Sequence, residues 1–146
     1  MIDKLVSKRV IGLESYKAEP VTQGIALDKN EMPWSLGGKV LEAVINRIKA
    51  MDFNRYPDSR CTELKTALSG YAGIDKAAIT VGNGSDELIS ILMQTFIDPG
   101  DTIAVNNPSF SMYKIYGTIC GARVWEYELD GNFRIDMEEF MDGLQK

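Results

Sequence analysis

The strongest constraint on this chain is an alternation of two apolar patterns from residue 77 onward. Short apolar runs at residues 77–81 and 102–105, rich in β-branched side chains, read as buried strands. The stretches between them have helical spacing instead. Leu88, Ile89, Ile91, Leu92, Met93 and Phe96 predict a helix apolar on most sides and hence well buried. Met112, Tyr116 and Ile119 share one face of a second helix, with Ser109 placed to cap it and Gly121 to stop it. Residues 123–129 alternate, Trp125, Tyr127 and Leu129 against Val124, Glu126 and Glu128, which predicts a strand with one half-exposed face. A short helix over residues 136–144 follows. Strand–helix–strand–helix–strand with short links requires crossover connections, and these are right-handed. The expected fold class is therefore α/β with a mainly parallel sheet.

Upstream of residue 77 the pattern is different. Glu19-Pro20, Gly24 and Met32-Pro33 interrupt any long helix, so residues 1–36 read as an arm, with a short strand near residues 25–27. After Gly37-Gly38, the residues Val40, Leu41, Val44, Ile45 and Ile48 recur at steps of about 3.6, one face of a helix. Asn54-Arg55-Tyr56-Pro57-Asp58 breaks it, because a residue before proline is pushed out of helical angles. A second helix runs through Leu64, Ala67, Leu68 and Tyr71 and ends at Gly73. The division expected is an arm, 1–36, and a body, 37–146.

Composition narrows the function classes. A formal net charge of −5 with no histidine offers no basic excess for a nucleic acid or an anionic membrane. No apolar run approaches the roughly 20 residues that span a bilayer, and the charged start does not read as a secretory signal. Cys61 and Cys120 lack CxxC spacing, so no metal site and no disulfide framework is expected, and reduced thiols in a cytoplasmic protein are the plain reading. Without histidine, Ser-His and Cys-His nucleophile pairs are excluded.

The sharpest local signal is Val81-Gly82-Asn83-Gly84-Ser85-Asp86-Glu87, where a strand should end and a helix begin. Glycines let the backbone approach a ligand, and the first helical amides have no intrahelical partner. With the helix dipole and the Ser85 hydroxyl they form an anion seat. The same residues are equally read as an ordinary strand-to-helix turn with Ser85 as its cap. The segment is neither a P-loop, since the Lys-Ser/Thr pair is absent, nor GxGxxG, since Glu87 stands at the third glycine. Asp86 and Glu87 suit a helix start, yet they oppose a bound dianion unless their side chains turn away. Asn107-Pro108-Ser109-Phe110-Ser111-Met112-Tyr113 occupies an equivalent place, beyond the carboxyl end of a strand, where ligands of open parallel sheets sit. Phe110 there is either a stacking partner for a flat ring or ordinary core.

Taken in order, Asn30-Glu31-x-Pro33, Arg55-Tyr56-Pro57-Asp58, Gly82-Asn83-Gly84-Ser85-Asp86-Glu87 and Pro108-Ser109-Phe110-Ser111-Met112-Tyr113 resemble the N-terminal part of the histidinol-phosphate aminotransferases. These are pyridoxal-phosphate enzymes of the fold-type I class, and the resemblance runs from about Leu13 to the last residue. It implies an N-terminal arm plus the first part of the αβα large domain, incomplete. It also implies pyridoxal 5′-phosphate as cofactor, a small amino-acid or phosphate-ester substrate, a homodimer in the complete enzyme, and a place in histidine biosynthesis. The amides of Ser85 and Asp86 would hold the cofactor phosphate, with Gly84 permitting the approach and Phe110 stacking on the pyridine ring. Tyr56 would reach the neighbouring subunit's cofactor phosphate, while Tyr16 and Asn30 would border the substrate. Met32 departs from the residue, often asparagine, that precedes the family's proline.

The family's Asn-Pro-x-Gly asparagine, its aspartate for the pyridine nitrogen, its Schiff-base lysine and its carboxylate-clamping arginine have no counterpart in these 146 residues. The resemblance thus implies no catalytic residue here and an inactive fragment. Lys114, next to the stacking position, lies off the apolar helix face and reads as a solvated lysine. A fragment of a threonine-phosphate decarboxylase, which shares the scaffold, and a non-catalytic phosphate- or nucleotide-binding module are the alternatives.

Overall fold

The computed structural model describes residues 5–13, 24, 25, 27 and 29–145. In chain order these form α1 (Gly38–Lys49), α2 (Thr62–Ala72), a single 3-10 turn (Lys76–Ala78), α3 (Gly84–Phe96), β1 (Thr102–Asn107), α4 (Met112–Cys120), β2 (Arg123–Glu128) and α5 (Met137–Leu144). No helix among the described residues is long and apolar enough to cross a membrane.

The organising unit is β1–α4–β2. The two strands pair in parallel, in register from Thr102 opposite Arg123 to Asn107 opposite Glu128. Parallel neighbours need a crossover, and α4 supplies it. Gly117 lets that helix lie close on the strands: a Cβ built there would fall within the van der Waals envelope of Ile103 Cδ1. Ile103 is buried beneath it, and Ile89 of α3 and Tyr127 of β2 are the other buried apolar side chains among the described residues. Gly121 ends α4 in the left-handed conformation, φ 88°, as its position predicts. The Gly121 carbonyl then accepts the Gly100 amide at 2.9 Å, tying the end of α4 to the turn before β1. Arg9 Nη1 donates to the Cys120 carbonyl at 3.1 Å, placing a cation at the helix C-terminus, where the dipole favours it.

On the β2 side, Trp125 and Phe140 stack with centroids 5.5 Å apart, and Tyr127 meets both rings edge-on, at 5.9 and 5.3 Å. Asp136 caps α5 by accepting the amides of Glu138 and Glu139 at 3.0 and 3.1 Å. The Tyr127 hydroxyl donates to Glu139 Oε2 at 3.1 Å. Burial, then the Glu139 carboxylate, raises its pKa above the ordinary 10.0.

Four expectations need correction. Residues 77–81 form no strand: Lys76–Ala78 is a 3-10 turn, and the extended backbone from Ile79 (φ −105°, ψ 124°) finds no neighbouring strand among the described residues. Extended backbone becomes sheet only when a partner supplies the ladder. The residue at the α4 cap position is Ser111 rather than Ser109, with no side-chain capping bond, because Ser109 and Phe110 are used in leaving β1. Helix α3 buries only Ile89, while Leu92 and Phe96 are exposed; α4 is the principal element packed on it. Of the strand near residues 25–27, Ala26 lies outside the described residues, and Ile25 and Leu27 carry no strand pairing. Helix α1 forms with the predicted spacing, but Val40, Leu41, Val44, Ile45 and Ile48 are all exposed.

The start of α2 is held from outside the helix. Cys61, at the cap position, is left-handed (φ 49°, ψ 43°) and caps nothing with its side chain. Asp58 does so instead: its Oδ2 accepts the Thr62 amide at 2.8 Å and its Oδ1 the Arg60 amide at 2.9 Å. These bonds, Thr62 first, hold the Asp58 carboxyl below its ordinary 3.8. A lowered carboxyl pKa stabilises the folded start of α2 above pH 3.8, and that contribution is lost as pH falls through the folded value. Thr62 amide exchange, normalised to its intrinsic rate at each pH, should therefore accelerate below pH 3.8 in the wild type. In Asp58→Ala it should be fast at neutral pH already. Equal Thr62 protection in the two proteins at pH 7 would refute the cap.

Candidate functional site

The turn at residues 82–87 is built by the backbone. Asn83, at φ −76° and ψ 72°, is the centre of an inverse γ-turn closed by the Gly84 amide on the Gly82 carbonyl at 2.9 Å. Gly84 then opens α3 with φ +78°, an angle that costs other residues strain, and nothing lies within 4 Å of the space a Cβ would fill. Asn83 makes no side-chain capping bond. The amides of Ser85 and Asp86 have no carbonyl four residues back inside the helix, and both residues are exposed. A helix of 13 residues aims its dipole at the same point. The arrangement can hold an anion by backbone donors, with the Ser85 hydroxyl as a further donor and no cationic side chain required.

The topology fixes what faces this turn. Helix α4 leaves the carboxyl end of β1 and must return to the start of β2, so its N-terminus lies at the carboxyl end of the pair. Helix α3 packs on α4 and ends where the turn at residues 98–101 leads into β1. Its 13 residues span roughly 20 Å, about the length of β1. The starts of α3 and α4 therefore share one end of the unit. Phe110, half exposed at the start of α4, is on that end, edge-on to Tyr113 at 6.3 Å. Asn107 Nδ2 donates to Glu128 Oε1 at 2.7 Å across the same strand ends.

Other residues singled out in the sequence stand apart. Tyr56 is fully exposed between α1 and α2 and projects away from its own chain. Asn30 is exposed in the left-handed conformation, φ 53°, with no described hydrogen bond to the turn. Tyr16 lies outside the described residues. Lys114 is a surface lysine, more than half exposed, and its Nζ lies 2.6 Å from Glu126 Oε2 in a partly exposed ion pair. Glu87 escaped the sequence reading in its actual role. Its Oε2 accepts the Asn83 amide, so the carboxylate turns back onto the cap rather than toward a bound anion. The available signal was a glutamate at the fourth helical position, four residues after an asparagine, a form of the capping box shifted by one residue.

The model of the family "Aminotransferase class I and II" matches residues 22–146, and the chain belongs to that family. Its relatives carry a more particular name. It is 37% identical over 146 residues to the histidinol-phosphate aminotransferase of Clostridium novyi, covering 100% of this chain and 41% of that protein. It is 36% identical over 138 residues to that of Pyrococcus furiosus, covering 94% of this chain and 40% of that protein. The chain thus spans about two-fifths of the length of the curated relatives it matches. Among solved structures, histidinol-phosphate aminotransferase from Sinorhizobium meliloti in complex with pyridoxal-5′-phosphate superposes with a TM-score of 0.65 at 23% identity, over 75% of this chain and 29% of that one. The fold is accordingly part of an α/β aminotransferase domain.

Proposed function

We propose that residues 37–146 are the cofactor-phosphate portion of the large domain of a pyridoxal-phosphate aminotransferase, with residues 1–36 as its arm. The observation that carries this reading is the turn at Gly82–Asp86: exposed backbone donors at a helix start, on the same end as an exposed aromatic ring. The residues fit the group, since Gly84 leaves open the space a side chain would occupy. The amides of Ser85 and Asp86 would bind the phosphate, and Phe110 would cover a face of the pyridine ring. The exposed Tyr56 would reach the cofactor phosphate of a second subunit in a homodimer, and Tyr16 and Asn30 would border the substrate. When bound, the cofactor supplies the electron sink for carbanion chemistry; these residues bind and orient it.

The similarity to histidinol-phosphate aminotransferases along the whole chain favours transfer of an amino group from histidinol phosphate to 2-oxoglutarate, in histidine biosynthesis. The 146 residues alone would be inactive. Titration with pyridoxal 5′-phosphate tests the anchor: binding should occur, compete with inorganic phosphate, and weaken about tenfold in Gly84→Val, since a β-branched residue is strained at this φ. No binding by the wild type, or equal binding by Gly84→Val, would overturn it.

A further inference from the structure

We propose that Glu87 is a positioning residue of the phosphate turn, acting as a clip on its back rather than as a charge against the ligand. The inference rests on the cofactor-phosphate reading of residues 82–86 and assigns this chain a further residue for it. Three observations meet at this side chain. Its Oε2 accepts the amide of Asn83, the central residue of the inverse γ-turn. The same oxygen lies 3.0 Å from the position a Cβ on Gly82 would take, with Leu88 Cγ at 3.2 Å. And the turn it closes sets Gly84 at φ +78°, from which α3 departs.

Together these give Gly82 and Gly84 different duties. Gly84 keeps the ligand side open, since nothing lies within 4 Å of its missing Cβ. Gly82 keeps the rear open, so that the Glu87 carboxylate can fold in against the backbone. The clip consumes the Asn83 amide, while the Gly84 amide is consumed by the Gly82 carbonyl. The donors left at the helix start are those of Ser85 and Asp86, and fixing the turn fixes their direction. Preorganised donors lose less freedom when the anion arrives.

The clip and a simple charge effect predict opposite signs. If Glu87 merely repelled a dianion, removing it would tighten binding. A clip demands the reverse for alanine and tolerates glutamine, whose carboxamide oxygen still accepts from Asn83. The experiment is a pyridoxal 5′-phosphate titration of the wild type, Glu87→Ala and Glu87→Gln, with amide exchange at Asn83 followed in the same proteins without ligand. Expected are about fivefold weaker binding and a faster-exchanging Asn83 amide in Glu87→Ala, with Glu87→Gln equal to or tighter than the wild type. Glu87→Ala binding as well as or better than the wild type overturns the clip alone, as does unchanged Asn83 exchange. Failure of the wild type to bind overturns the cofactor reading and the clip with it. Protection of the Ile89 amide serves as the control that α3 is still formed.

Discussion

Ile103→Ala is expected to lower stability by about 2–5 kcal/mol, enough to abolish cooperative unfolding of the β1–α4–β2 unit at ambient temperature. The size follows from how little is buried. Ile103, Ile89 and Tyr127 are the buried apolar side chains among the described residues, so no wide core exists to spread the loss. Folded domains typically hold only about 5–15 kcal/mol in reserve, and a core this narrow belongs at the lower end. Ile103 also fills the notch that Gly117 leaves in α4, where a rigid helix backbone cannot collapse into the vacated volume. Ile103→Val, which removes one methyl group, should cost only about 0.5–1.5 kcal/mol and keep the transition cooperative. Urea denaturation followed by circular dichroism separates the two. A midpoint for Ile103→Ala within error of the wild type would show that α4 does not rest on this side chain.

The second large effect concerns chemistry. The 146-residue chain, saturated with pyridoxal 5′-phosphate, should transfer no amino group from histidinol phosphate to 2-oxoglutarate beyond what the free cofactor achieves in solution. Transamination needs a base that takes a proton from one carbon and returns it to another, and a positioned side chain contributes about 10²–10⁴-fold in such a step. The chain has no histidine. Lys114, the nearest lysine in sequence to Phe110, spends its ammonium on Glu126 at 2.6 Å. Exposed backbone donors that suit a phosphate stand at Ser85 and Asp86, and no histidine or unpaired lysine is described at the same end. Glutamate formation, read by a coupled dehydrogenase, is the measurement. Turnover above the free-cofactor rate would sink the proposal that these residues supply binding without proton transfer.

What the sequence made legible was whatever depends on neighbours a few residues away. Helices α2 and α4 end at Gly73 and Gly121, and both glycines take the left-handed angles that their position demanded. The short helix expected over residues 136–144 is α5, and the apolar spacing of α1 gives a helix over Gly38–Lys49. The parallel pairing of β1 and β2 followed from the helix-length insertion between them. What failed depends on partners distant in sequence. The β-branched run at residues 77–81 has the composition of a strand, but composition cannot provide the neighbouring backbone that would make it one. The all-round apolar pattern of α3 reports how much surface the helix could bury, not how much is covered. Asp58 sits in a segment read for its tyrosine, and its role as a remote cap needed three-dimensional geometry to be seen. In the site, the glycine turn and Phe110 are brought to one end by topology alone, whereas the back-folded carboxylate of Glu87 was signalled only by a capping-box spacing shifted by one residue.

The contact of Arg9 with the Cys120 carbonyl joins residues 111 positions apart, whereas the strand pair opens with Thr102 opposite Arg123, a separation of about 20. On the logarithmic scaling of loop closure, the longer connection costs roughly 1.5 kcal/mol more chain entropy. Among the described residues, one charge-assisted bond at the surface, from Arg9, offsets that cost. Residues 5–13 are therefore expected to settle after the strand pair and to let go before it. A protease that finds nothing to cut in β1–α4–β2 should find its opening there.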